Sequence, residues 1–403
     1  MTATGYVFDP FADGYAENPY PHYTELRAAA PAYHHPLGFW LVSRYEDVAK
    51  LPRASHSVDE QYLTDIPRWK QNTGVALTDN RPMRGRSMLD QDPPNHTRLR
   101  RLVSQAFTRR AVEALEPRIE VLVGEALDRI AAAGSADVVS ELAFPIPFTV
   151  ISEMLGTPAV AHARLRELTG TLVRALEPLS SPELLAEIRA ANAELTGITR
   201  DLIERKRRHP GDDLITDLIS ARHEDDVLTE DELVAQVMFL YIAGHETTVG
   251  LLANGILALA GHPEQAALLR ERPDLAAGAV EELLRYDTSV HLMRRITREP
   301  LAVHGERIPA GAHVVACLAA ANRDPGFWGA DADELHLDRP NAHQHVSFGA
   351  GIHHCLGAAL ARLEARIVFL RFVQRFPAVV VDEVRWNGRI NVRSPRVLSV
   401  SVR

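Results

Sequence analysis

Phe348-Gly349-Ala350-Gly351-Ile352-His353-His354-Cys355-Leu356-Gly357 is the stretch whose reading decides the fold. Gly349 and Gly351 allow a tight loop with positive φ angles and close approach to a flat ligand. Beyond Cys355 an amphipathic pattern runs over residues 356–372, so the cysteine is expected to open a helix. The N–H groups and positive dipole end of a helix stabilise a thiolate placed there.

A thiolate so placed suits axial ligation of haem iron, onto which it pushes electron density. Other readings compete. A lone cysteine at a helix start is often only a small buried hydrophobe. A zinc site could draw on His343, His345, His353, His354 and Cys355. Three of these are adjacent and do not easily converge on one tetrahedral ion, and the C-x2-4-C spacing is absent. His245-Glu246 begins like the H-E-x-x-H helix of metalloproteases, but residue 249 is Val, so that motif fails.

A second segment stands out upstream. Thr229-Glu230-Asp231-Glu232 has the form of a capping box. The apolar pattern then runs to about residue 260, a rod of roughly 48 Å at ~1.5 Å per residue. Apolar residues lie nearly all round it, as in a buried central helix. Ala243-Gly244-His245-Glu246-Thr247-Thr248 lies in its middle. Polar groups there need partners or cost ~1–3 kcal/mol each. Threonine hydroxyls can also draw carbonyls from the helical ladder and open a notch.

The 403 residues show no linker, repeat or low-complexity run, so residues 1–403 read as one domain, large enough to bury a sizeable cofactor. Short helices are expected at 23–30 and 45–51, and longer ones at 98–107 and 112–133, with helical patterns continuing to about 286. Strands are expected at 39–42, 301–303, 314–317, 378–381 and 397–402. The fold class is thus mainly α, with small β-sheets concentrated towards the two ends. Residues 57–91 read as a long loop, a candidate lid. The net charge of -9 argues against nucleic acid as a partner. The only cysteines, Cys317 and Cys355, fit a reducing compartment. The first 20 residues lack the features of a signal peptide, and no uncharged apolar run reaches the ~18 residues of a membrane span. A cytoplasmic location without membrane contact is expected.

Residues 348–357 match every fixed position of F-G-x-G-x-H-x-C-x-G, and the chain thereby resembles the cytochrome P-450 family. Further motifs agree, in order. Ala243-Gly244-His245-Glu246-Thr247 resembles the oxygen-activating stretch of that family's long central helix, which lies over a buried haem. Glu282-Leu283-Leu284-Arg285 resembles its E-x-x-R pair. Asn322-Arg323-Asp324-Pro325 and Asp338-Arg339-Pro340 resemble the segments between that pair and the haem loop. The stretch from Asp92-Pro93-Pro94 to Arg100 resembles a propionate-binding helix of soluble bacterial members.

The resemblance implies haem b (iron protoporphyrin IX), with Cys355 as axial ligand and Phe348, Gly349, Gly357, Ala243 and Gly244 against the cofactor. It implies His96, Arg100, Arg295 and His353 as propionate contacts; Arg294 beside Arg295 leaves that register open. His96 and Arg100, at i and i+4, share a helical face. Glu282 and Arg285, at i and i+3, can pair, and the resemblance adds Arg339 as a structural third partner. Cleaving dioxygen so that one atom leaves as water consumes two protons. Glu246 and Thr247 are the expected catalytic pair: a carboxylate that relays protons beside a hydroxyl that donates one.

Phe239, Leu240, Ile242, Ala243, Val290, Leu292 and Val392 are expected to line an apolar pocket for a hydrophobic or amphipathic small molecule. Trp69, Arg81, Arg84 and Arg86 could meet its polar end. Arg98, Arg100, Arg101, Arg109 and Arg110 form a basic segment, either a solvated face or a docking site for an acidic electron donor. The resemblance implies a ferredoxin with its reductase, and a monomer. The expected reaction is monooxygenation with O2, by hydroxylation or epoxidation, plausibly in natural-product biosynthesis. Oxidative coupling, peroxygenase chemistry or an inactive partner-binding role are the alternatives.

Overall fold

The computed structural model describes residues 7–54, 56–64, 86–105, 107–177, 181–223 and 226–403. Trp69, Arg81, Arg84 and most of the expected lid lie outside the described residues.

The helix Glu230–Gly261 is the axis of the molecule. Thr229 Oγ1 accepts from Glu232 N at 3.4 Å, and Glu232 Oε2 accepts from Thr229 N at 2.9 Å, closing the capping box. Its residues belong to two cores. Leu251, Leu252, Ile256 and Leu259 pack with Ile119, Val123, Leu283, Phe369 and Phe372. Val237, Met238, Tyr241 and Ile242 pack with Leu99, Phe148, Ile151, Leu165, Leu195 and Ile203. A helix buried on every side has no polar face to solvate, which is why its sequence shows no clean amphipathic stripe.

The main sheet has four strands in the order Ala32–His35, Phe39–Val42, His313–Cys317, Leu292–Ile296. The second and third are parallel, with Trp40 opposite Val314; the last is antiparallel, with Arg295 opposite Val314. Ser57 adds a bridge to Ile296 at the outer edge. Ala32–His35 escaped the sequence reading because its two histidines break the apolar alternation. His35 instead stacks on Phe39, with ring centroids 4.5 Å apart.

β structure is concentrated towards the two ends, as expected, with one short strand drawn in from mid-chain. Val379–Trp386 pairs with Pro395–Val402, which on its other side pairs with Ser135–Asp137 from mid-chain. Some boundaries move. The 112–133 helix is two, Arg109–Glu113 and Glu116–Ala133, the second with Pro at its first turn. The 98–107 helix spans Asn95–Ser104. The helix after the cysteine spans Ala358–Arg375, so Cys355 stands three residues ahead of it rather than at its first turn. Among the described residues, no helix is long and apolar enough to cross a membrane.

Candidate active site

The loop before Cys355 is held by its own backbone. Gly349 and Gly351 adopt φ of 65° and 68°, and Cys355 N donates to Phe348 O at 3.0 Å. A side chain at Gly351 would collide with the Pro52 carbonyl, so only glycine lets the 51–53 turn pack here. Phe348 sits under the Arg362 guanidinium, 4.5 Å from its ring centroid. Leu356 packs into the core shared by Leu99, Tyr241 and Ile242, tying the loop to the central helix.

Cys355 is exposed, yet enclosed enough for burial to push its thiol up. Both hold for a residue lining an internal hollow. The Gly357 N–H, Arg100 and Arg362 pull the other way without prevailing. Helix-end donors alone therefore do not supply the expected thiolate; coordination of a metal ion would. Cys317 differs: it is fully buried, its thiol pushed up to about 12 by burial, and it packs among Tyr23, Leu41 and Ala320.

Four basic side chains converge beside this loop. His96 is 2% exposed and neither ring nitrogen has a partner. His353 lies with its ring centroid 4.2 Å from that of His96, and its Nε2 is also unpartnered. Arg295 is 4% exposed; one N–H meets the Arg294 carbonyl at 2.7 Å, while Nη2 meets nothing. Arg100 completes the group. Burial pushes His96 down to about 4 and His353 to about 3, and the neighbouring arginines reinforce both shifts. Burial likewise lowers Arg295 to about 10, with Asp92 opposing. Unmet donors and mutual repulsion are costly unless an anion enters. The two carboxylates of haem b fit this donor set. Arg294 does not belong to it: it pairs with Glu60 and Asp90, while Arg295 turns to the cluster.

The central helix presents Phe239, Ala243 and Thr247, four residues apart, as one partly exposed stripe, with Glu246 beside it. Thr247 Oγ1 donates to Ala243 O at 3.2 Å, and the helix stays α throughout. Ser289 Oγ donates to Thr247 O at 2.8 Å. Glu246 Oε2 meets Arg389 Nη1 at 3.1 Å. His245 is fully buried, with Nδ1 2.7 Å from Tyr241 O, and burial lowers its affinity for a proton.

Gly244 is partly exposed, and a side chain there would point at Ile151, with Cγ1 2.9 Å away, so packing of helix Pro145–Met154 is one reason for the glycine. Leu240 was expected in the pocket, but it is 5% exposed and lies in the core with Leu99 and Ile203. Ile242, at 7%, is core likewise. Val290 and Leu292 are partly exposed. Val392 is 2% exposed and bridges Val290.

Glu282, Arg285 and Arg339 form one buried cluster. Arg285 makes two 2.7 Å bonds to Glu282 and donates to the carbonyls of Asn322, Ala332 and Glu334 at 2.7–2.9 Å. All five of its N–H groups are used. Arg339 Nε adds a 3.2 Å bond to Glu282. The basic segment divides. Arg98 pairs with Asp226 and Glu232, and Arg100 turns to the basic cluster, leaving Arg101, Arg109 and Arg110 exposed. The zinc reading finds no support: among the described residues only Glu46, Asp47 and His304 group at metal-ligand spacing.

The sequence reading missed Arg389, Arg362 and Ser289. Arg362 had a signal, since it stands two turns beyond Cys355 on the following helix. Arg389 had none: it lies 143 positions from Glu246, in an irregular loop.

The cytochrome P450 family model matches residues 172–387. The chain is 41% identical to cytochrome P450 107B1 of Saccharopolyspora erythraea, covering 98% of each. It is 40% identical to the cytochrome P450 monooxygenase PikC of Streptomyces venezuelae, covering 99% of this chain and 95% of that protein. Its fold superposes on P450BioI, solved in complex with hexadec-9Z-enoic acid-ligated acyl carrier protein. The TM-score is 0.88 at 34% identity, with 96% of this chain and 99% of that one covered. On these similarities, which span nearly its whole length, the chain belongs to the cytochrome P450 family, oxidoreductases that bind haem b.

Proposed function

We propose that this P450 inserts one atom of O2 into a hydrophobic or amphipathic small molecule, with two electrons and two protons taken up and the second oxygen leaving as water. The observation that carries this reading is the stripe of Phe239, Ala243 and Thr247 with Glu246 at its side. An apolar wall continues into the partly exposed Val290 and Leu292.

Cys355 would ligate the iron, and His96, Arg100, Arg295 and His353 would hold the two carboxylates. When bound, the haem supplies dioxygen activation, which a thiolate ligand favours. The protein's own part is proton delivery. Glu246 reaches from its Arg389 partner, and the Thr247 hydroxyl, released from the Ala243 carbonyl, donates into the pocket. The apolar wall orients the substrate and excludes bulk water.

Electrons would come from a separate donor protein. An acidic ferredoxin with its reductase fits exposed Arg101, Arg109 and Arg110. A cytoplasmic monomer is the simplest setting. PksS of Bacillus subtilis, 34% identical to this chain, is named a polyketide biosynthesis cytochrome P450, and polyketides make the first substrate panel here. Turnover under 18O2 with a ferredoxin pair tests the proposal. The expected product carries a single labelled oxygen. A product labelled only from water, or dehydrogenation and coupling without oxygen gain, would overturn it in favour of an oxidase role.

A further inference from the structure

One more base stands beside the basic cluster, half-buried and unused by anything above. Both ring nitrogens of His56 are closed to solvent and neither has a hydrogen-bond partner. The backbone fixes where this ring lies. Ser57 and Ile296 exchange two hydrogen bonds of 2.8 Å in an antiparallel bridge. Side chains alternate across such a pair, so His56 and Arg295 fall on the same face, opposite to Ser57 and Ile296. The preceding turn, Leu51–Arg53, packs against the cysteine loop where Gly351 meets Pro52. His56 is thus held between the strand bearing Arg295 and the loop bearing His353.

We infer that His56 donates a ring N–H to a haem carboxylate that Arg295 also binds, making it a fifth member of the basic cluster. This rests on reading that cluster as the seat of the haem carboxylates. The chemistry suits the position. Burial lowers the affinity of His56 for a proton, Arg295 lowers it further, and Glu299 opposes. A neutral imidazole keeps one N–H to donate, so it adds a hydrogen bond without adding another cation beside Arg100 and Arg295. An unmet buried donor is expensive, and a carboxylate oxygen removes that cost. Glu299 does not fill this role, since the His56 nitrogens reach no partner at all.

The test compares the loaded wild-type protein with His56→Leu, His56→Gln, Arg295→Leu and His96→Leu. Two readouts are taken: the rate of haem release to excess haem-free myoglobin, and the resonance Raman propionate bending bands. His56→Leu should release haem roughly tenfold faster, the equivalent of one hydrogen bond to a charged group. It should also shift a propionate band. His56→Gln, which keeps an N–H donor of similar reach, should restore most of both, which a merely space-filling role would not. If Arg295→Leu accelerates release while His56→Leu leaves rate and bands unchanged, His56 is not a contact and the inference falls alone. If Arg295→Leu and His96→Leu are also silent, the reading of the whole cluster falls, and the inference with it.

Discussion

Replacing Arg285 by Leu should remove ~3–5 kcal/mol of stability, the cost of leaving a buried carboxylate without its closest partner. That is a large share of the ~5–15 kcal/mol that holds a typical domain together. Glu282 and Arg285 are both fully buried, and Arg285 also caps the carbonyls of Asn322, Ala332 and Glu334. Its loss leaves Glu282 with Arg339 at 3.2 Å and the His336 N–H, and takes a donor from three backbone acceptors. Arg285→Lys should be an intermediate case, because an ammonium has three donors and cannot make the two-pronged contact. The Glu282→Leu/Arg285→Leu double variant should recover part of the loss, since neither charge then remains to be solvated. Arg339 still has Asp331 at 3.1 Å. Thermal unfolding and the yield of soluble haem-loaded protein measure this. A single Arg285→Leu variant as stable as its parent would show that the cluster is not structural.

Thr247→Ala should leave substrate binding and electron uptake intact while diverting dioxygen to hydrogen peroxide. Proton delivery by a positioned group contributes roughly 10²–10⁴-fold, so product per electron pair should fall at least tenfold. Glu246→Gln should slow turnover by a similar factor, for it removes the carboxylate that exchanges protons and also unties Arg389. Both variants should regain product formation with added hydrogen peroxide as oxidant, because that reagent brings its own protons. The measurement is the ratio of product to peroxide to oxygen consumed. If Thr247→Ala stays fully coupled, the hydroxyl serves only the Ala243 carbonyl it meets in this structure.

Much of the site could be read before any coordinates. Cys355, His353 and the Gly349–Gly351 turn lie within one decamer, to which the family resemblance assigns roles. The Glu282–Arg285 pair follows from helical periodicity, and the central helix from its capping box. What stayed illegible depends on directions that sequence does not encode. Leu240 and Ala243 are neighbours on one apolar helix, yet one fills the core and the other lines the open stripe. Gly244 invites a cofactor explanation, and Ile151 crowds it as well. Arg98 and Arg100 belong to one basic run, yet Asp226 and Glu232 claim the first and the haem-side cluster takes the second. Arg389 and His56 reach the site only through the tertiary fold. In each case the deciding partner lies far along the chain.

The central claim is that Cys355 binds the haem iron as a thiolate, and the optical spectrum of the reduced protein under carbon monoxide tests it most directly. The account predicts a strongly red-shifted Soret band, lost in Cys355→Ala. A Soret band at the position of histidine-ligated haem, unchanged in Cys355→Ala, would contradict it.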